Sequence, residues 1–346
     1  MRRARAAAAL LLAGALGAET AMADTIDYRL VAFTDLRGWA QDHHDAALEV
    51  FRTTCDRLRG AEWRAICALA ATVPEGGARV FFEHFFQPVI VDPQEVALFT
   101  GYFEPELEGA VIPDARFRYP IYARPPDLPR SGPWHTRSEI EAGLLAGRGL
   151  ELAWLENPVD VFFLQVQGSG RIRLPDGSVL RLGYAASNGH DYRSVGQEMV
   201  RRGLYPAHKV SARVIRSYVQ RNPEEGRALL QHNPSYVFFR RLEDADPAHG
   251  PIGAMGRPVT TMRSIAVDPE FTPLGAPVWI EKRGRRPLDR LMVAQDTGSA
   301  IKGAQRADIF YGTGVEAGER AGRVRDRGRM VVLLPVEMAH RLAPGG

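Results

Sequence analysis

Three aspartates in the last third of the chain stand beside apolar, strand-like runs. Asp268 and Asp296 each follow such a run, and Asp308 precedes one. A carboxyl group beside apolar strands is partly desolvated, which raises its pKa and lets it act as a general acid near neutral pH. Aspartates at strand ends also bind backbone amides in turns. We expect that ordinary role for two of the three.

Asp296, Thr297 and Gly298 also match the tripeptide of aspartic proteases. Those enzymes need two such carboxyl groups that share a proton. The rest of the chain offers no second copy of the tripeptide. The match is therefore weak, and a hydrolase that uses Asp296 is an alternative to the single general acid.

Two glycine-punctuated polar segments could bind a neutral substrate. Gln165 and Gln167 alternate with Val166, which places both amides on the same face of one predicted strand. Two amides, a hydroxyl and an aromatic ring suit a sugar, which needs neutral hydrogen bonds and an apolar stacking surface. The same residue types also occur at strand ends and in tight turns. We expect five side chains to line a cleft between two domains: Tyr102, Glu104, Gln165, Gln167 and Ser169.

The first 23 residues have the layout of a secretory signal peptide. Arginines near the start precede a short apolar run at 6–17, and Ala21-Met22-Ala23 resembles a signal peptidase site. An N-terminal anchor helix is the alternative, but the apolar run is too short to cross a bilayer. We expect export and cleavage after Ala23, and the segment contains no cysteine that could accept lipid.

The chain has two cysteines, Cys55 and Cys67, on successive helical patterns. In an exported protein a disulfide between them is the favoured interpretation, and two buried free thiols are the alternative. A zinc site needs more ligands than two cysteines supply, and the histidines show no matching spacing. The sequence therefore predicts no metal or organic cofactor.

Composition limits the class of protein. Lys and Arg total 44 and Asp and Glu total 41, which is too balanced for a dedicated nucleic-acid-binding protein. Hydrophobic residues make up 45%, enough for real cores. The 34 glycines and 24 prolines favour a turn-rich, mainly β fold, and 346 residues suggest two domains. No later run reaches the ~18 apolar residues of a membrane helix.

At these polar segments the sequence resembles the membrane-bound lytic murein transglycosylase A family, with its C-terminal three-aspartate domain. The resemblance covers nearly all of the chain after the predicted signal peptide. It rests on motifs that occur in the right order: Thr100–Pro105, Phe162–Gly170, Gly183–Gly189, Asn233–Phe239 and Arg257–Glu319.

The resemblance implies a mainly β fold with some α-helix. Residues 24–106 and 240–346 would form a double-psi β-barrel with N-terminal helices, and 107–239 an inserted β-rich substrate-binding domain. Members of the family cut the β-1,4 bond between N-acetylmuramic acid and N-acetylglucosamine in peptidoglycan without water, leaving a 1,6-anhydro end. The family's single catalytic aspartate falls on Asp308, with Asp296 and Asp268 as supporting residues.

The expected partners are peptidoglycan glycan strands and other cell-wall enzymes. The family is named for membrane attachment, whereas this signal peptide lacks a cysteine. We therefore expect a periplasmic protein that is not a lipoprotein.

One catalytic carboxyl group is chemically sufficient for this reaction. Ordinary glycosidases need a second one to activate water or to attack. An intramolecular hydroxyl replaces the water and has a high effective concentration. The alternatives are a hydrolytic muramidase that uses Asp308 with Asp296, an aspartic-type hydrolase, and a noncatalytic peptidoglycan-binding protein.

Overall fold

The computed structural model describes residues 26–243, 246 and 249–344. The predicted signal peptide, with its cleavage site after Ala23, lies outside the described residues.

Strands form two separate sheets. In chain order they are β1 Tyr28–Leu30, β2 Phe86–Val91, β3 Ala97–Glu104, β4 Glu106–Ala110, β5 Tyr119–Tyr122, β6 Glu151–Leu155, β7 Ser169–Arg173, β8 Val179–Ser187, β9 Val237–Arg241, β10 Ser264–Val267, β11 Pro277–Lys282, β12 Leu288–Asp296, β13 Arg306–Thr313 and β14 Arg325–Pro335.

Helices precede, connect and follow these strands. They are α1 His44–Thr54, α2 Ala61–Ala70, α3 Ala78–Phe85, α4 Arg137–Glu139, α5 Pro158–Gln167, α6 Val195–Arg201, α7 Ala212–Arg221, α8 Pro223–Leu230, α9 Gly314–Ala321 and α10 Val336–Leu342.

The first sheet has eight strands in the order β1-β2-β14-β11-β12-β10-β13-β3, and β14 also pairs with β3. That extra pairing closes six of the strands into a ring. The ring and the N-terminal helices share a large apolar core that includes the fully buried Trp279. The pairs β10–β12 and β13–β3 are parallel. In the second pair, two strands from distant parts of the chain lie side by side.

The second sheet has six strands in the order β5-β6-β4-β7-β8-β9. Only Pro105 separates β3 of the ring from β4 of this sheet. Helices α5 to α8 share an apolar cluster beside it that includes Phe162 and Met199. The molecule is therefore a sheet-rich fold with helices, which confirms the fold class that the sequence predicts.

The predicted strand at Gln165–Gln167 is wrong, because these residues end helix α5. Pro158 occupies the first turn of the helix, where its missing amide costs nothing. Gly168 ends the helix in the left-handed conformation, with a φ of 75°, which glycine adopts without strain. Gln165 and Gln167 are therefore presented by a helix end and not by one face of a strand.

The N-terminal helices α1 and α2 form a hairpin that is closed by a disulfide bond. Cys55 directly follows α1, Cys67 lies in α2, and the two are joined in a disulfide. The hairpin packs on the ring through α1, whose Phe51 is fully buried.

None of the helices in the described ranges is both long and apolar enough to traverse a lipid bilayer.

Candidate functional site

A cleft of about 250 Å³ opens where the two sheets meet. The ring side contributes Gly101, Tyr102, Gly298, Ser299, Ala300, Ile301 and Asp308. The other side contributes Arg137, Gln165, Val166, Gln167, Tyr192, Asn233, Ser235 and Val237.

Asp308 lies on the ring wall of this cleft. It is the third residue of β13, inside the strand and not before it. Parallel pairing places it opposite Thr100 of β3, and the Thr100 hydroxyl donates a hydrogen bond of 2.6 Å to Asp308 Oδ1. Burial raises the pKa of Asp308 to about 6, although the Thr100 hydrogen bond and Arg306 lower it; the nearby Asp296 adds to the rise.

Arg306 orients the hydroxyl that contacts Asp308. Its Nη2 donates to Thr100 Oγ1 at 2.9 Å, and its Nη1 donates to the Ala307 carbonyl at 2.6 Å. Because the Thr100 oxygen accepts from Arg306, its single proton points to Asp308.

Asp296 ends β12 on the same side of the ring. Its carboxylate accepts hydrogen bonds from the backbone amides of Ala254 and Thr297, each at 2.9 Å. The Tyr102 hydroxyl donates a third bond at 3.1 Å. Burial raises the pKa of Asp296 despite these bonds. Asp296 is thus tied to two backbone amides and to a tyrosine that lines the cleft.

Tyr102 keeps its proton. Burial first, and then the charges of Asp296 and Asp308, raise the pKa of its hydroxyl well above the usual value. Its ring packs against Phe310 with centroids 5.2 Å apart. A neutral hydroxyl is therefore bonded to Asp296 and feels the charge of Asp308 as well.

Asp268 does not line the cleft but supports one of its walls. It is buried, and its carboxylate accepts from the Gly303 amide at 3.0 Å and from Lys302 Nζ at 3.5 Å. Gly303 has a φ of 104°, which disfavours any other residue. The loop before it, 298–301, lines the cleft, so Asp268 holds the base of that loop.

Three of the five predicted substrate-binding residues line the cleft: Tyr102, Gln165 and Gln167. Gln167 Oε1 accepts from the Phe103 amide at 3.0 Å. Gln165 Oε1 is buried and has no hydrogen-bond partner within the described structure.

Glu104 does not fit the expected substrate-binding role. It is completely buried and accepts hydrogen bonds from Arg171 Nε at 2.8 Å, Arg181 Nη2 at 3.3 Å and Thr313 Oγ1 at 2.9 Å. Two of these partners belong to the second sheet and one to the ring. Glu104 therefore joins the two sheets by an ion cluster.

Ser169 also lies outside the cleft lining. The chain reverses at Gly168, so Ser169 begins β7 and pairs with Gly183 of β8.

Arg137 is a cleft residue that the sequence analysis missed. It is buried and donates to the carbonyls of Asn233 at 3.1 Å and Ser235 at 2.7 Å. Glu141 balances its charge at 3.1 Å, and its guanidinium lies 4.9 Å from the centre of the Phe162 ring. The signal was the segment Asn233–Phe239, which the resemblance singled out without indicating its partner.

Within the described ranges, no group of three or more His, Cys, Asp or Glu residues is placed to hold a metal ion. A carboxyl group with a pKa near 6 carries a proton for a useful fraction of the time near neutral pH and can return as a base after donating it.

Two family models match this chain. The MltA specific insert domain matches residues 98–240, and the 3D domain matches residues 263–334. The first covers most of the second sheet, and the second covers the ring strands that carry Asp296 and Asp308 and the strand that precedes Asp268.

A curated relative supports the same assignment. The membrane-bound lytic murein transglycosylase A of Vibrio cholerae serotype O1 is 38% identical over 251 residues, which cover 69% of this chain and 66% of that protein. The match thus spans just under two thirds of the relative's length.

Solved structures match almost the whole chain. A membrane-bound lytic murein transglycosylase from Agrobacterium tumefaciens is 35% identical, with a TM-score of 0.81, over 91% of this chain and 99% of that one. Escherichia coli MltA with bound chitohexaose is 31% identical, with a TM-score of 0.74, over 89% and 94%. This chain therefore belongs to the membrane-bound lytic murein transglycosylase A family.

Proposed function

We propose that this protein is a peptidoglycan lytic transglycosylase that uses Asp308 as its single catalytic acid and base. The observation that carries the proposal is Asp308 itself, a carboxyl group in the wall of the cleft whose burial raises its pKa to about 6. The family assignment supplies the bond that is cut, the β-1,4 linkage between N-acetylmuramic acid and N-acetylglucosamine.

The proposed reaction needs one proton carrier and no water. Protonated Asp308 donates to the glycosidic oxygen, and the bond from that oxygen to the muramyl anomeric carbon breaks. The 6-hydroxyl of the same muramyl residue bonds to the anomeric carbon, and its proton passes to Asp308. The products are a free 4-hydroxyl and a 1,6-anhydro end, and the carboxyl group regains its starting state.

Asp296 and Asp268 have supporting roles in this proposal. Asp296 adds negative charge near Asp308 and fixes Tyr102. Asp268 fixes the cleft loop through Gly303. Neither is required to carry a proton.

Glycan binding is assigned to Tyr102, Gln165 and Gln167. Their amides and aromatic ring suit a neutral sugar, and the E. coli relative was solved with the glycan oligomer chitohexaose. Replacing both glutamines by alanine is expected to weaken binding of a chitin oligomer, as measured by calorimetry. Unchanged affinity would remove the glutamines from the proposed binding site.

The closed six-stranded ring is proposed to have the double-psi topology, with residues 107–239 inserted as a second domain. The pairing of β14 with both β3 and β11 and the parallel β13–β3 pair support a closed barrel. The return of the chain from β9 to β10 supports an insertion between two parts of the ring.

The protein is proposed to act in the periplasm, with its signal peptide cleaved after Ala23 and no lipid attached. The support is the layout of residues 1–23 and the absence of cysteine among them. Fractionation should release the mature protein with the periplasmic fluid, with Asp24 as its first residue. Recovery in the membrane pellet after a high-salt wash would contradict this location.

Mass spectrometry of digested murein tests the proposed reaction. Fragments ending in 1,6-anhydro-muramyl residues are lighter by one water than fragments with reducing ends. Anhydro ends are expected as the main products. Reducing ends would indicate a hydrolytic muramidase, and intact murein would indicate a noncatalytic binding protein.

A further inference from the structure

A short turn lies directly behind Asp296. The Gly253–Arg257 turn is closed by hydrogen bonds from the Gly253 amide to the Arg257 carbonyl and from the Gly256 amide to the Gly253 carbonyl, each at 2.9 Å. Its Ala254 amide donates to Asp296 Oδ1 at 2.9 Å. A shift of this turn would therefore shift a carboxylate beside the catalytic group.

The other end of the turn is attached to the N-terminal helical hairpin. Arg257 Nε donates to the Thr53 carbonyl at 3.1 Å, and Arg257 Nη2 pairs with the Asp56 carboxylate. Thr53 is in the last turn of α1, and Asp56 follows Cys55, which the disulfide joins to Cys67 of α2. The arginine thus connects the turn to a hairpin whose two helices are joined covalently.

A second contact links the hairpin to the same strand end. Gln295, next to Asp296, is fully buried, and its Nε2 donates to Thr53 Oγ1 at 3.1 Å. Its carbonyl accepts from the Met255 amide at 3.2 Å. Thr53 therefore receives one bond from the turn and one from β12.

We propose that Arg257 is a positioning residue for the active site: anchored on the disulfide-closed hairpin, it holds the turn whose Ala254 amide fixes the Asp296 carboxylate. This inference rests on the proposed function of Asp308. Arg257 does not line the cleft and acts only through Asp296, which in turn holds the Tyr102 hydroxyl.

The contact is suited to positioning more than to overall stability. The side chains of Arg257 and Asp56 are 33% and 53% exposed, and ion pairs at such sites contribute little to folding. Misplacing a group near the reacting atoms by about 1 Å, in contrast, can reduce turnover by up to ~100-fold. Loss of Arg257 should therefore reduce catalysis far more than it reduces stability.

The decisive variant is Arg257→Met, which keeps the aliphatic part of the side chain. Its kcat is expected to fall about ten-fold, with the product still ending in 1,6-anhydro groups and with KM changed much less. Arg257→Lys retains a charge for Asp56 and should recover part of the loss. Arg59→Met is the matched control, because Arg59 is an exposed arginine of the same hairpin that makes none of these contacts.

The pH profile separates positioning from a general loss of folding. The ionisable groups around Asp308 are Asp296, Tyr102, Tyr311 and Arg306; those around Arg257 are Asp56, Arg57, Arg52 and His249. Asp296 raises the pKa of Asp308. If Asp296 moves away in Arg257→Met, the alkaline limb of kcat/KM moves to lower pH, and it stays in place in Arg59→Met.

Asp56→Asn provides a second route to the same answer, because it removes the ion pair from an exposed position and leaves Arg257 intact. It should lower kcat in the same direction, as should reducing the wild-type disulfide with dithiothreitol. An unchanged kcat and pH limb in Arg257→Met, or in Asp56→Asn where Arg257→Met does not fold, overturns the inference. Failure of the wild type to form anhydro ends would instead overturn the proposed function.

Discussion

Thr100 and Asp308 face each other in register on neighbouring parallel strands, and the threonine hydroxyl donates a 2.6 Å hydrogen bond to the aspartate. The strand pairing fixes the backbone of both residues, so this contact does not depend on a mobile loop. Asp308 is therefore held in one orientation toward the cleft.

Replacing Thr100 by valine should raise the pKa of Asp308 further. The hydrogen bond stabilises the ionised carboxylate and lowers the pKa, so its loss favours the protonated acid. The alkaline limb of kcat/KM is expected to move to higher pH in Thr100→Val. Thr100→Ser, which keeps the hydroxyl, should retain the wild-type limb, and a shift to lower pH in Thr100→Val would contradict the assignment.

Asp308→Asn should keep the fold and abolish most turnover. An amide cannot donate the required proton, and acid–base catalysis alone contributes ~10²–10⁴-fold. The rate of murein digestion should fall by at least ~10²-fold, while binding of a chitin oligomer is retained. Asp176→Asn, in the exposed turn between β7 and β8, is the control. A near wild-type rate in Asp308→Asn would contradict the proposal that Asp308 is the catalytic acid and base.

Asp308→Asn should also change how the free energy of unfolding depends on pH. The pKa of Asp308 is about 6 in the folded protein against a usual 3.8, so the folded carboxyl group binds its proton more tightly than the unfolded one. That contribution is fully present below pH 3.8 and is lost as the pH rises through about 6. Each pKa unit corresponds to about 1.4 kcal/mol, which allows up to about 3 kcal/mol in total.

Asp308→Asn lacks this loss because its amide does not titrate. Its free energy of unfolding, relative to wild type, should therefore increase between about pH 4 and pH 7. Urea unfolding of both proteins at the two pH values measures the difference. An equal difference at both values would show that burial does not raise the pKa of Asp308.

Glu104→Gln should destabilise the protein strongly. The carboxylate is fully buried among Arg171, Arg181 and Thr313, and removing one partner of a buried ion cluster costs about 3–5 kcal/mol. Urea unfolding is the measurement. Glu106→Gln, at an exposed position at the start of β4, should have little effect, and equal stabilities for the two variants would contradict the structural role of Glu104.

The sequence predicts the site better than it predicts the surrounding contacts. Apolar strand patterns are local and short, so they can be recognised in the sequence. The strands that they predict are present: Asp296 ends one and Asp268 follows another. The apolar run before Gln165 predicts a strand but forms a helix, since a buried apolar run has no period that separates the two structures. Pro158 at the start and Gly168 at the end were the helix signals that could have corrected it.

The partners of Asp308 and Glu104 could not be predicted from local pattern. Thr100 and Asp308 are 208 residues apart, and Glu104 meets Arg181 from 77 residues away. Such contacts follow from strand order and register, which hydrophobic periodicity does not specify. Glu104 therefore looked like a cleft residue when it is an internal link between sheets.

The parallel pairing of β13 with β3 has a consequence for when the molecule can act. A ribosome must complete nearly the whole chain before Asp308 on β13 can meet Thr100 on β3. Contacts so distant in sequence also form late and slowly in folding. Under the proposed function, a chain that ends before residue 308 lacks its proton carrier, and a prematurely terminated chain would then be unable to cleave peptidoglycan.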